Sequence, residues 1–127
     1  MKNLLDTHTF IWYITGDNNL SQKAKSIIED SVSENYVSIV SLWEMSIKTS
    51  IGKLQMEMPF NDIEKHIFGN SFDILPIGID ALIILSSLPF YHKDHFDRLL
   101  ISQAMPNNLQ IISRDKYFSE YEIPIIW

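Results

Sequence analysis

Asp6, Glu44, Asp97 and Asp115 are the residues whose types and positions could do chemistry together. Carboxylates brought into one place repel and raise one another's pKa values, and a hard divalent cation removes that conflict. All-oxygen ligation with retained waters suits Mg²⁺ or Mn²⁺ rather than zinc. Such an ion grips a phosphate oxygen, lowers the pKa of a bound water and steadies a leaving oxygen, which together describe phosphodiester hydrolysis. Each acid also has a plainer explanation. Asp6 and Asp115 could each cap the helix that follows, and Asp97 could cap the first turn of its own helix. Glu44 could sit in a buried salt bridge, or on a helix rotated slightly away from the core.

The elements that must position these acids can be read from periodicity. Residues 2–5 form a short strand that ends at Asp6, and residues 109–113 form another that ends just before Arg114-Asp115. Residues 36–40 are β-branched and strand-like, and the helix at 41–51 follows directly, with Gly52 as its stop. On that helix Val40, Glu44, Ile47 and Ile51 make one stripe. At about 100° per residue, Asp97, Leu100, Ile101 and Ala104 share a face of a helix over 94–105, which Pro106-Asn107-Asn108 should break. Further helices are expected at 8–14, 21–33, 60–68 and 80–88, a strand at 72–77, a helical turn at 116–120 and an edge strand at 123–127, where Pro124 is tolerated. Strands alternating with helices at this spacing imply crossover connections and a mostly parallel sheet. Sites in such sheets lie beyond the carboxyl ends of the strands. Asp6, Asp115 and the helix bearing Glu44 all belong at that edge.

Composition sets the bounds. The 127 residues suit one α/β domain, residues 1–127, with 46% apolar and 20% charged residues. No cysteine is present, which excludes a disulfide scaffold, a thiol nucleophile and a thiolate metal site, and suits a reducing cytoplasm. The N-terminus reaches Asp6 too early for a signal peptide, and no run is long enough to span a bilayer. A net charge of −6 without a basic stripe argues against a general nucleic-acid binder. It leaves room for an enzyme that meets nucleic acid through a bound cation.

Four short pieces, in this order and at these intervals, resemble the PIN-domain ribonucleases, in particular VapC-type toxins of bacterial toxin–antitoxin pairs. They are Leu4-Leu5-Asp6-Thr7-His8, Ser41-Leu42-Trp43-Glu44 with Ile47-Lys48, Asp94-His95-Phe96-Asp97-Arg98-Leu99-Leu100-Ile101, and Ser113-Arg114-Asp115. The resemblance spans essentially the whole chain. It implies a PIN-like α/β/α sandwich whose acidic quartet, Asp6, Glu44, Asp97 and Asp115, binds one or two Mg²⁺ or Mn²⁺ ions. Thr7 and Ser113 match the hydroxyls that accompany the first and last acids. The implied activity is endoribonucleolytic: a metal-activated water attacks phosphorus and leaves a 5′-phosphate and a 3′-hydroxyl. Homodimerisation and inhibition by a cognate antitoxin are also implied. His95 departs from the pattern, because relatives carry proline there; Asp94 is therefore placed at the helix cap or behind the ligands.

Other residues have weaker claims. Arg98 could bind a scissile phosphate bidentately or pair with a neighbouring acid. Arg114, Lys48 and Lys93 could contact RNA or be solvated surface charge. His92 and His95 are near the acids without a ligand spacing. Trp12, Tyr13 and Trp43 suit a core or dimer interface better than a base-stacking platform. Two other functions compete: a non-catalytic protein-binding domain whose acids meet a cationic partner, and an Asp-dependent phosphatase built on Asp6-Thr7-His8-Thr9, where the expected second aspartate is His8.

Overall fold

The computed structural model describes residues Met1–Trp127. Five strands, β1 (Lys2–Leu5), β2 (Glu34–Ser38), β3 (Phe72–Leu75), β4 (Gln110–Ile112) and β5 (Ile125–Ile126), form one sheet in the order β3-β2-β1-β4-β5. Every pairing is parallel, with Leu5 registered against Val37 on one side and Ile112 on the other. Helices α1 (Thr7–Thr15), α2 (Gln22–Glu29), α3 (Ile39–Ser50), α4 (Ile63–Gly69), α5 (Ile79–Ser87) and α6 (His95–Asn107) make the crossovers. Successive residues of the central strands serve opposite faces. Leu4 and Ile111 join one buried cluster with Leu100, Ile101 and Ala104 of α6, while Leu5 and Ile112 join another with Phe10, Met45 and Phe72. A core on both faces is why these strands read as apolar runs rather than alternations.

Several boundaries move for identifiable reasons. The strand expected at 36–40 ends at Ser38, whose hydroxyl accepts from Val40 N–H (2.9 Å) and starts α3 two residues early. Ser21 lies outside α2 as its cap, accepting from Ala24 N–H at 3.0 Å. The helix expected over 60–68 is a 3₁₀ turn, Phe60–Asp62, followed by α4.

Pro106 does not break α6 but sits inside its last turn. The stop is Asn108, in the left-handed region at φ 53°, with Leu109 N–H closing onto Ala104 O at 3.1 Å. The stripe on α3 is only half right. Val40 and Glu44 are buried, but Ile47 and Ile51 are 37% and 58% exposed, because α3 turns Ser41, Leu42 and Met45 inward instead.

No helix is long and apolar enough to cross a membrane.

Candidate active site

The carboxyl ends of β1 and β4 adjoin, so the residues after them meet. Asp6 follows β1 and caps α1, its Oδ1 accepting from Thr9 N–H at 2.9 Å. Its Oδ2 accepts from Ser113 Oγ, just past β4, at 2.6 Å. The same Ser113 oxygen accepts from Asp115 N–H at 2.9 Å, so one hydroxyl ties the first and last acids together. Asp115 in turn caps the following 3₁₀ turn through Tyr117 N–H (2.9 Å). Capping and convergence are thus not alternatives: each aspartate caps with one oxygen and leaves the other to its neighbours.

Thr7, the first residue of α1, donates to Glu44 Oε1 at 2.7 Å and lies 2.9 Å from Ser41 Oγ. Glu44 Oε2 meets Lys48 Nζ at 2.6 Å. Glu44 is therefore buried and paired, yet still lines the cleft that Asp6, Asp94, Asp97 and Asp115 share. That cleft encloses about 350 Å³ and is polar, with Trp12 its one hydrophobic wall residue.

At α6 the structure separates two acids that the sequence runs together. Asp94, not Asp97, is the cap: its Oδ1 accepts from Asp97 N–H at 3.0 Å. His95 occupies the first helical position, where proline is merely well suited rather than required, and the cap forms normally. Asp97 is freed to face the cleft. Burial, then the charges of Asp94, Asp6, Glu44 and Asp115, push its carboxyl up to about 8. Burial likewise raises Asp6, against the opposing hydrogen bonds from Ser113 and Thr9.

His92 is the participant that the sequence leaves unassigned. Its Nδ1 accepts from Asp94 N–H at 3.1 Å, which places the ring hydrogen on Nε2. Nε2 lies 2.9 Å from Asp115 Oδ2 and 3.0 Å from Asp97 Oδ2, so the imidazole holds the two carboxylates together. A position two residues before the capping acid is its only mark in the sequence.

Arg98 is corrected. Its guanidinium is buried away from the cleft, donating to the carbonyls of Pro89 (2.9 Å) and Leu88 (3.2 Å) and lying 3.9 Å over the Phe90 ring. It pairs with no acid and does not line the cleft; it stitches the turn between α5 and α6. Arg98→Met is expected to lower unfolding stability by roughly 2–3 kcal/mol through two stranded carbonyls, which urea melts of parent and variant check. Arg114, by contrast, is exposed on the cleft wall, 4.7 Å over the Trp12 ring. Lys48 and His8 also line the cleft.

An open parallel α/β sandwich with a carboxylate-lined cleft at its C-terminal edge is the class that fold and site define. The chain matches the PIN domain over residues 4–124, and it belongs to that family. No curated protein matches it in sequence. Solved structures of similar fold include VapBC2 from Rickettsia felis bound to a promoter DNA fragment, at 14% identity and TM-score 0.72, covering 99% of this chain and 98% of that one. A toxin–antitoxin complex from Klebsiella pneumoniae is similar at 20% identity and TM-score 0.65, over 98% and 96% of the two chains. FitAcB from Neisseria gonorrhoeae is similar at 17% identity and TM-score 0.65, with the same coverages.

Proposed function

We propose that this chain is a metal-dependent endoribonuclease of the VapC toxin type. One observation carries the reading. Asp6, Glu44, Asp97 and Asp115 come from four separate segments to one cleft, where the other three help to drive Asp97 up to about 8. A hard divalent cation relieves that charge, and oxygen donors of this kind suit Mg²⁺ or Mn²⁺. When bound, the ion supplies a Lewis acid for the phosphate and a water of lowered pKa, giving a 5′-phosphate and a 3′-hydroxyl.

The chain's own residues do the rest. Asp6, Glu44, Asp97 and Asp115 would hold the ion. Ser113 fixes Asp6, Thr7 fixes Glu44, and His92 keeps the Asp97 and Asp115 oxygens side by side. Asp94 rigidifies the turn from which Asp97 projects. Arg114 offers a cation at the rim for a phosphate.

The test is cleavage of an end-labelled single-stranded RNA by the purified chain. Scission is expected with Mn²⁺, with 5′-phosphate ends, and none in chelator; undiminished scission in chelator contradicts the proposal.

The same reading includes a cytoplasmic setting, a cognate VapB-like antitoxin and a homodimer. One of the similar solved structures is a toxin–antitoxin complex, which supports the partner. For the dimer, α3 presents Ile39, Trp43 and Ile47, and α5 presents Ile79, Leu82 and Ile83, all exposed, and both helices pack on α6. Exposed apolar side chains in two such rows mark an interface. Ile83→Asp is expected to give a folded monomer by light scattering where the parent is a dimer.

A second reading has a specific observation in its favour. Lys48 on Glu44, and His92 between Asp97 and Asp115, supply cationic or donor groups from within the chain. A domain that only binds protein would need nothing more. Calorimetry with Mn²⁺ separates the two, since that reading requires no site-specific metal.

A further inference from the structure

The acidic cleft has one aromatic wall, and core packing does not consume it. Trp12 is half-buried on α1, the helix that Asp6 caps, roughly 9 Å along its axis from that acid. One turn back, His8 lies against it at 5.7 Å between ring centroids. Trp127 forms a T-shaped pair with it at 5.9 Å and 60°, and the Arg114 guanidinium lies 4.7 Å over its ring. Trp12 also borders a neighbouring groove of about 490 Å³ that includes Ile11, Ile14, Met56 and Met58. The indole therefore stands as a ridge bordering more than one open space, held by Trp127 and with a cation over its ring. This differs from the core or interface role that its sequence spacing suggests.

Planar faces locked beside a phosphate-cutting site do particular work. Unpaired bases are bound by stacking on aromatic rings and on arginine planes, whereas a base inside a duplex has no free face. Arg114 adds charge to the stack and is exposed on the same wall. The rest of the lining is mostly acidic, so base affinity has few other sources there.

We propose that Trp12 and the Arg114 guanidinium over its ring form one stack, braced by Trp127, that is the specificity-determining platform against which the base adjoining the scissile phosphate packs. The proposal rests on the ribonuclease reading of the acids and adds how the strand is seated. It makes the cleft selective for a flipped or unpaired nucleotide next to the cut.

The test measures binding apart from cleavage. The Asp97→Asn chain is titrated into fluorescein-labelled eight-nucleotide RNAs, one intact and a set each lacking one base, followed by anisotropy. One abasic position is expected to weaken binding about tenfold. Trp12→Ala in the same background should weaken the intact RNA equally, and the abasic RNA no further. Trp12→Phe should restore most of the affinity, which separates stacking from a folding defect. Equal binding of every abasic RNA, losses from Trp12→Ala and the missing base that simply multiply, or preference for a duplex of the same sequence would each overturn the platform. Failure of the ribonuclease reading shows separately, as absence of Mn²⁺-dependent cutting by the parent chain.

Discussion

Asp97→Asn is expected to reduce Mn²⁺-dependent RNA cleavage by roughly 100-fold or more while the fold survives. The size follows from what the acid does. A metal ion supplies several kcal/mol of charge stabilisation in the transition state, and each factor of ten in rate is about 1.4 kcal/mol. Asp97 is the acid most crowded by others, with Asp94, Asp6, Glu44 and Asp115 all acting on it. On the proposed reading, losing its charge removes a metal ligand at the centre of the cluster. Asparagine keeps the shape, and the N–H that Asp94 caps is main-chain, so α6 starts as before. Single-turnover rates for parent and variant, with circular dichroism for the fold, read the two halves. Asp6→Asn should lose activity similarly, since Asp6 lines the same cleft.

The second large effect is on stability. In the metal-free chain, the folded-state carboxyl of Asp97 stands at about 8 against an ordinary 3.8. Between those values the folded state binds the proton and the unfolded state releases it. Stability from this group is therefore full below about pH 4 and falls as pH rises toward 8, at up to about 1.4 kcal/mol per pH unit. Asp6, also raised by burial, acts in the same direction. Asp97→Asn lacks the titration, so it should melt increasingly above the parent as pH rises through that window. Mn²⁺ favours the ionised carboxyls and should reverse the parent's loss, by roughly 3 kcal/mol at a hundred times its dissociation constant. Thermal melts of both proteins from pH 4 to 8, with and without Mn²⁺, provide the check. A constant gap across that range contradicts the crowding of the site.

The part of this architecture legible in the sequence is the part set by local pattern. Alternating apolar strands and helices gave the parallel sheet, and the positions of Asp6 and Asp115 after strands placed them at its carboxyl edge. Glu44 looked costly on a buried face, and it is buried. What pattern could not supply is which group answers which. Asp94 and Asp97 are three apart on one turn; pattern alone allowed either to cap, the family resemblance put Asp94 there, and the hydrogen bond from Asp97 N–H to Asp94 has it start the helix.

Arg98 stood beside an acid in the sequence, but the turn after α5 brings two carbonyls closer. His92 stood near the acids in the sequence without a role, and Trp12 looked better suited to a core or interface, because their partners lie far away in the chain. Asp115 is 23 residues from His92, and Trp127 closes on Trp12 only once β5 has joined β4. Pro106 misled in the opposite sense: it gives up its own i→i−4 hydrogen bond, but so near the end of α6 there is no further turn to disrupt, and the helix runs on to Asn107.

Anomalous diffraction from crystals grown with Mn²⁺ tests the shared metal site most directly. The expected result is a manganese peak in the cleft within about 2.5 Å of carboxylate oxygens from Asp6, Asp97 and Asp115, with Glu44 completing the acidic set. An empty cleft at saturating Mn²⁺, or an ion bound without Asp6 and Asp97, would contradict it.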